Sequence, residues 1–202
     1  MAFDWYALFP AHIGSKMSGT VGKLEHELSK FDIHEKLLEI GTAEAYNLCE
    51  LAKKELISEG VGFDISKKRI AKAKERISDE GLAHKVQVYV GTEHTINYED
   101  GFFDVTIIPQ VLEHVPKQEG VLNILQEATR ISNQGVLISL PLRDSNQMLM
   151  RYAKFLDPDH VKGLIKHKNS WIYDSKQVEM FFEENNFSFE RSSDNDEFYI
   201  LK

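Results

Sequence analysis

The chain has little cysteine and a deficit of positive charge, and these two features argue against disulfides and against a nucleic-acid partner. Its 202 residues include one cysteine, Cys49, so no disulfide can form within the chain, and we expect a reducing compartment. Lys and Arg number 24 against 32 Asp and Glu, which gives a formal net charge of −8. Because so acidic a chain repels polyanions, we expect no nucleic-acid partner.

Long apolar runs are also absent. No run approaches the roughly 18 residues that a transmembrane helix needs, so we expect no membrane partner. Residues 1–10 contain an acid, Asp4, and lack the basic segment and cleavage site of a signal peptide. We therefore expect a cytoplasmic protein, and its length suits a single domain over residues 1–202.

Short apolar or β-branched runs alternate with amphipathic helical patterns from residue 36 onward. Strands are predicted at 36–40, 61–65, 85–90, 104–109 and 135–141, and helices at 44–57, 66–80, 117–132 and 174–185. Two final runs, 187–191 and 197–201, predict a closing antiparallel hairpin. The pattern indicates an α/β fold: a doubly wound, mostly parallel seven-stranded sheet with helices on both faces.

Two segments lie outside this alternation. Residues 142–173 carry charged and histidine residues around a short apolar stretch, and we expect them to form a substrate-binding insert. Residues 1–30 precede the sheet and begin with several aromatic residues. They are expected to form a lid that excludes water, or an extension that covers the core or a subunit interface, and the sequence does not separate these.

The segment KLLEIGTAEAY, residues 36–46, is the most informative in the chain. An apolar strand that runs into an acid and a glycine and then opens a helix is typical of sites that receive nucleotide-type cofactors. Gly41 is the one glycine of this turn, and Ala43 and Ala45 stand where such turns usually carry further glycines. Each added methyl group can hold a ligand away from the backbone.

Asp64 ends the second predicted strand, twenty-three residues beyond Gly41. That is about the distance expected for a carboxylate that binds a ribose in a βαβ unit. The competing interpretation is an N-cap aspartate that starts the next helix.

Residues 91–115, GTEHTINYEDGFFDVTIIPQVLEHV, carry a specific resemblance. They resemble the loop after strand three, the Phe-Asp-Val strand and the Val-Leu-Glu-His-Val helix start of the class I S-adenosylmethionine-dependent methyltransferases. Residues 127–131 and 135–141 are similar to that family's next helix and fifth strand. The resemblance covers 36–141 closely and 157–202 loosely, and it implies a Rossmann-like fold with S-adenosyl-L-methionine as the cofactor.

The resemblance also implies roles for individual residues. Those expected at the methionine end of the cofactor are Glu39, Gly41, Thr42, Ala43 and Gln110. Asp64 would accept both ribose hydroxyls, and Ile65 would pack on the adenine. Thr92 stands where family members often place an aspartate for the adenine amino group, and Glu93 beside it is also expected to bind the cofactor.

Histidines supply the candidate catalytic groups, because their ordinary pKa suits proton transfer near neutral pH. His160, in the Asp-Pro-Asp-His-Val segment, is similar to a family segment near the acceptor pocket and is the first candidate base. His114 is the second, although it could instead help to start a helix. Asp157, Asp159 and His160 could together bind a divalent metal, but nothing completes the shell, and we expect no metal.

The leading hypothesis is therefore a methyltransferase that acts on a small molecule or glycan, with oxygen as the expected acceptor atom. The absence of an Asn/Asp-Pro-Pro-aromatic run disfavours amino-group methylation of nucleic-acid bases. A nicotinamide-binding domain usually has a third glycine at the position of Tyr46, so this sequence disfavours that interpretation. The alternative is a protein that binds the cofactor or a nucleotide without catalysis, because the methyl groups of the two turn alanines can keep a ligand from approaching the backbone closely.

Overall fold

A computed structural model gives the structure of residues 18–32, 35–91, 96–115, 117–142 and 174–202. The strands are β1 (Lys36–Ile40), β2 (Glu59–Asp64), β3 (Val86–Val90), β4 (Phe103–Pro109), β5 (Ser132–Ser139), β6 (Phe189–Arg191) and β7 (Phe198–Leu201). The helices are α1 (Ser18–Leu28), α2 (Tyr46–Lys53), α3 (Lys67–Asp79), α4 (Gln118–Ile131) and α5 (Ser175–Glu184), and a 3-10 turn spans Leu112–His114.

The strands form one seven-stranded sheet in the order β3-β2-β1-β4-β5-β7-β6. The first five strands pair in parallel, and β7 runs antiparallel to both β5 and β6. The predicted doubly wound sheet with a closing hairpin is confirmed. The strand β5 begins three residues earlier than its predicted start at 135, because α4 passes into it without a loop at Ser132.

Side chains of each central strand alternate between two apolar cores, as the two-residue period of a strand requires. Leu37 of β1 joins the core beneath α1, α2 and α3, whereas Leu38 joins the core beneath α4 and α5. Both leucines are fully buried. Burial of each contributes about 1.5–3 kcal/mol, so these two cores hold the helices to the sheet.

The helix α1 packs on the first of these cores through Leu24 and Leu28. Its buried Glu27 accepts hydrogen bonds from Lys30 Nζ (2.8 Å) and from Ser192 Oγ (2.7 Å) in the loop between β6 and β7. Residues 18–28 of the predicted N-terminal lid or extension therefore form a helix that is tied to the hairpin. Residues 1–17 lie outside the described part of the chain, as do 143–173 of the predicted insert.

Three helices end in Schellman motifs, which satisfy their last carbonyl groups. At the end of α2, Leu56 N–H donates to Leu51 C=O (3.0 Å), and Glu55 takes the left-handed position with φ 57°. Gly81 and Asn186 occupy the same position after α3 and α5. The motif ends α2 at Lys53, four residues before the predicted limit at 57. None of the helices described is long and apolar enough to cross a bilayer.

Candidate functional site

The sheet order reverses direction at β1, which lies between β2 and β4. The chain leaves β1 into α2 on one face of the sheet and leaves β4 toward α4 on the other. A crevice opens where neighbouring parallel strands feed helices on opposite faces, and open α/β sheets bind ligands there. The sequence-predicted residues around β1, β2 and β4 all lie at this edge.

The β1–α2 turn, residues 41–45, has an unusual backbone. Gly41, Ala43 and Ala45 all lie in the left-handed region, with φ of 76°, 51° and 56°. A left-handed conformation costs a residue with a Cβ roughly 1–2 kcal/mol, so two alanines hold a shape that glycine adopts freely. The N–H groups of Gly41 and Thr42 both donate to Phe63 C=O, at 2.7 and 2.9 Å, and attach the turn to β2.

The two alanines differ in what their methyl groups face. Ala45 is fully buried and belongs to the core beneath α1, α2 and α3. Its methyl group therefore packs inside the protein. Ala43 is only half-buried, so of the two it is the one whose methyl group can meet a ligand.

Gly41 and Gly62 make room for neighbouring side chains. A Cβ on Gly41 would stand 2.2 Å from Cγ2 of Val111, in the loop after β4. A Cβ on Gly62 would stand 2.7 Å from the Thr42 side chain. Packing of the turn against β2 and the loop after β4 thus requires both glycines, whatever the ligand.

Glu39 lies beneath the turn and is almost wholly buried, with 1% of its surface exposed. Thr42 Oγ1 donates to one carboxylate oxygen at 2.7 Å, and Asn47 Nδ2 donates to the other at 2.7 Å. Burial raises the pKa of Glu39 to about 7, the two donors oppose the rise, and the charge of Asp64 adds to it. The side chain therefore changes its charge near neutral pH.

Asp64 joins the turn to the start of α3. One oxygen accepts from Ala43 N–H at 2.9 Å and the other from Ser66 N–H at 2.8 Å. A carboxylate offers about four acceptor positions, so each oxygen retains one for a ligand. The N-cap of α3 is Ser66, whose side chain accepts from Arg69 N–H, and the interpretation of Asp64 as that cap is wrong.

Apolar side chains are exposed beside Asp64. Ile65 has 71% of its surface exposed and Tyr89 has 42%. The Tyr89 ring packs on Phe63 with the centroids 5.6 Å apart. Such exposed apolar surface beside an acid suits a planar ring attached to a diol.

Gln110 directly follows β4 and lies in the left-handed region, with φ 53°, and its N–H donates to Ser139 C=O at 3.0 Å. The 3-10 turn that follows presents His114, whose side chain is 45% exposed. Desolvation lowers the pKa of His114, and the charge of Arg69 acts in the same direction. The imidazole is therefore neutral at pH 7 and able to accept a proton.

Glu113, next to His114, is buried with 6% of its surface exposed. Burial raises the pKa of its carboxyl to about 8; its own backbone N–H opposes the rise, and the nearby Glu197 adds to it. The Oε2 atom is buried and receives no hydrogen bond from the residues described. At pH 7 this side chain is mostly a neutral acid.

Several predicted residues cannot be placed. His160, Thr92 and Glu93 lie outside the described residues, as does the Asp157–Asp159 pair considered for a metal. Within the ranges that the structure describes, no three His, Cys, Asp or Glu side chains gather as a metal site.

Sequence reasoning missed Asn47, Gly62, Val111 and the burial of Glu113. One signal was available for Asn47: it lies four residues before Leu51, so a polar side chain shares the apolar stripe of α2. The contact between Gly41 and Val111 carries no such signal, because it joins two distant loops.

Three solved structures show the same fold. The PH0226 protein of Pyrococcus horikoshii is 18% identical, with a TM-score of 0.69 over 98% of this chain and 97% of that one. The YcgJ protein of Bacillus subtilis is 17% identical, with a TM-score of 0.62 over 85% and 70%. An O-methyltransferase family protein of Burkholderia thailandensis is 10% identical, with a TM-score of 0.67 over 94% of this chain and 57% of that one.

The sequence family described as a methyltransferase domain matches residues 31–186, which is more than half of the chain. The match includes the β1–α2 turn, Asp64 and the 3-10 turn after β4. The seven-stranded sheet with its closing hairpin agrees with that assignment. The chain belongs to the class I methyltransferase family.

Proposed function

We propose that this protein is an S-adenosylmethionine-dependent methyltransferase that transfers the methyl group to a hydroxyl oxygen of a small molecule or glycan. The single observation that carries the proposal is the placement of Asp64. Its carboxylate accepts from Ala43 N–H of the β1–α2 turn and from Ser66 N–H of α3, and keeps acceptor positions for a ribose diol.

The described residues fit this cofactor. When bound, S-adenosylmethionine supplies a methyl group activated by a sulfonium. Asp64 would hold the ribose and Ile65 would cover the adenine, with Thr92 and Glu93 assigned to the adenine side from the sequence. The buried charge of Glu39 would lie beneath the methionine end, where a cation is favoured. Gln110, directly after β4, would face the methionine portion.

On the acceptor side, a hydroxyl benefits from a base that takes its proton as the methyl group arrives. His160 is the first candidate base and His114 the second. The support for His114 is its half-exposed side chain and its lowered pKa, which keep the imidazole neutral and accessible at pH 7. Oxygen as the acceptor atom draws support from the fold shared with the O-methyltransferase family protein of Burkholderia thailandensis.

The proposal is tested by calorimetric titration of S-adenosylhomocysteine into the wild type and Asp64→Ala. We expect the wild type to bind and the variant to bind roughly 100-fold more weakly, because charge-assisted hydrogen bonds to the ribose are lost. Asp79→Ala is the matched control, since this exposed aspartate ends α3 away from the turn. A wild type that takes up no ligand would end the proposal.

A second candidate function is a module that binds the cofactor and does not catalyse. The half-buried methyl group of Ala43 favours it, because this methyl stands where a turn glycine would let a ligand approach. The two functions separate in a transfer assay with S-adenosylmethionine labelled on its methyl group and pools of hydroxylated small molecules and glycans. Ligand binding without label transfer to any pool favours the module.

A further inference from the structure

Asn47 is the second residue of α2, and its half-buried side chain contacts β1. Its Nδ2 donates to Glu39 Oε1 at 2.7 Å, while Thr42 Oγ1 donates to Glu39 Oε2 at 2.7 Å. The buried carboxylate of Glu39, in β1, is therefore hydrogen-bonded both to the turn and to α2. Asn47 is the member that belongs to the helix.

The start of α2 needs such an anchor. Its N-cap is Ala45, in the left-handed region, and no side chain caps the helix. The turn before it holds two alanines in a conformation that costs each of them free energy. The Asn47–Glu39 bond fixes the first turn of the helix against β1, directly after this strained segment.

We propose that Asn47 is a positioning residue for cofactor binding: by donating to Glu39 it holds the carboxylate between the turn and α2, facing the methionine end of the ligand. This inference rests on the proposed function. It adds a residue outside the turn that sets the geometry and the charge of the turn. Asn47 acts through Glu39 and needs no contact with the ligand.

The charge of Glu39 gives this role a distinct signature. Burial places the pKa of Glu39 at about 7, and the Asn47 hydrogen bond is one of the two contacts that keep it from rising further. The other ionisable groups that act on or feel this carboxylate are Asp64 at the end of β2 and the buried Cys49 of α2. Loss of the Asn47 donor therefore raises the pKa of Glu39, and less of the carboxylate is charged at neutral pH.

The experiment measures the dissociation constant of S-adenosylhomocysteine from pH 6 to pH 9 for the wild type, Asn47→Ala and Asn47→Leu. In the wild type we expect affinity to fall as the pH drops through about 7. In both variants we expect roughly tenfold weaker binding at pH 7, a midpoint at higher pH, and partial recovery at pH 9. Asn47→Leu keeps the branched shape of the side chain without a donor or a new charge, and serves where Asn47→Ala does not fold.

Asn123→Ala is the matched control, because Asn123 is also a half-buried asparagine within a helix, on the opposite face of the sheet. It should leave both the affinity and the midpoint unchanged. If the Asn47 variants have the wild-type affinity and the wild-type midpoint of the pH dependence, the proposal is overturned while the proposed function stands. Weaker binding without a shift of that midpoint would also overturn it. A wild type that does not bind the ligand would remove the proposed function and this inference together.

Discussion

Two buried glutamates lie at the same edge of the sheet, and they differ in the hydrogen bonds that their carboxyl groups receive. Glu39 is the penultimate residue of β1, has 1% of its surface exposed and receives two side-chain hydrogen bonds. Glu113 follows β4 with 6% exposed, and one of its oxygens receives no hydrogen bond from the residues described. Burial raises both pKa values, to about 7 for Glu39 and about 8 for Glu113.

The difference lies in the partners supplied by each segment. Thr42 and Asn47 both donate to Glu39, so the β1–α2 region supplies two hydrogen bonds that favour the charged form of this carboxyl group. Glu113 has its own backbone N–H, the His114 imidazole with Nε2 3.9 Å from Oε1, and a neighbouring acid, Glu197, so the region after β4 does less to favour the charged form.

The largest predicted effect concerns Glu113. A carboxyl whose folded pKa is raised stabilises the fold below its ordinary pKa, and that stability is lost as pH rises through the folded value, here about 8. Glu113→Gln should therefore gain stability relative to the wild type by on the order of 4 kcal/mol between pH 4 and pH 9. Urea unfolding at each pH measures the difference.

Two further variants sharpen that result. Glu119→Gln removes an exposed acid of α4 and should follow the wild type at every pH. Glu39→Gln should gain less at pH 9 than Glu113→Gln, because its amide offers one acceptor oxygen to the two donors Thr42 and Asn47. Equal gains in Glu39→Gln and Glu113→Gln would show that the two sites do not differ as described.

The next effect tests the contact between the two regions. Gly41→Ala combines a left-handed φ with a Cβ 2.2 Å from Val111 Cγ2, and should cost about 3 kcal/mol of unfolding free energy. In the background of Val111→Ala the overlap is removed and only the backbone strain is left. A urea-denaturation double-mutant cycle should show coupling of more than about 1 kcal/mol. Additive costs would mean that the two loops do not pack as the structure shows.

The smallest effect separates the two alanines. Ala43→Gly removes the backbone strain of a left-handed alanine whose methyl group is partly exposed, and should stabilise the fold by about 0.5 kcal/mol. It should also tighten S-adenosylhomocysteine binding. Ala45→Gly relieves the same strain but removes a buried methyl group, at a cost of about 0.8 kcal/mol. Thermal unfolding and calorimetry should therefore favour Ala43→Gly, and equal effects would contradict the packing assigned to Ala45.

Much of the fold was predictable because its signals are local. The alternation of strands and helices follows from side-chain periodicity, and β1 was placed at Lys36–Ile40 without error. The limits of α2 were not predictable to the residue, because Ala45 and Glu55 adopt left-handed conformations that are uncommon for these side chains. The helix α1 carries two glycines and lacked a clear helical signal.

The site was predictable to the extent that its residues are adjacent in sequence. Glu39 lies near the end of β1 and Gly41 and Thr42 begin the turn that follows, where the Thr42 hydroxyl donates to the Glu39 carboxylate. The partners of Glu113 and Gly41 come from distant segments, so their environment depends on tertiary packing that one sequence does not reveal. The same holds for the split between a core-facing Ala45 and a half-buried Ala43.

The central claim is that the β1–α2 turn and Asp64 receive S-adenosylmethionine. A crystal structure of the complex with S-adenosylhomocysteine tests it most directly. The account predicts both ribose hydroxyls within hydrogen-bond distance of Asp64, the adenine against Ile65, and the methionine end above Glu39 and the turn. A ligand that lies elsewhere, or an Asp64 that contacts only Ala43 N–H and Ser66 N–H as it does without ligand, would contradict it.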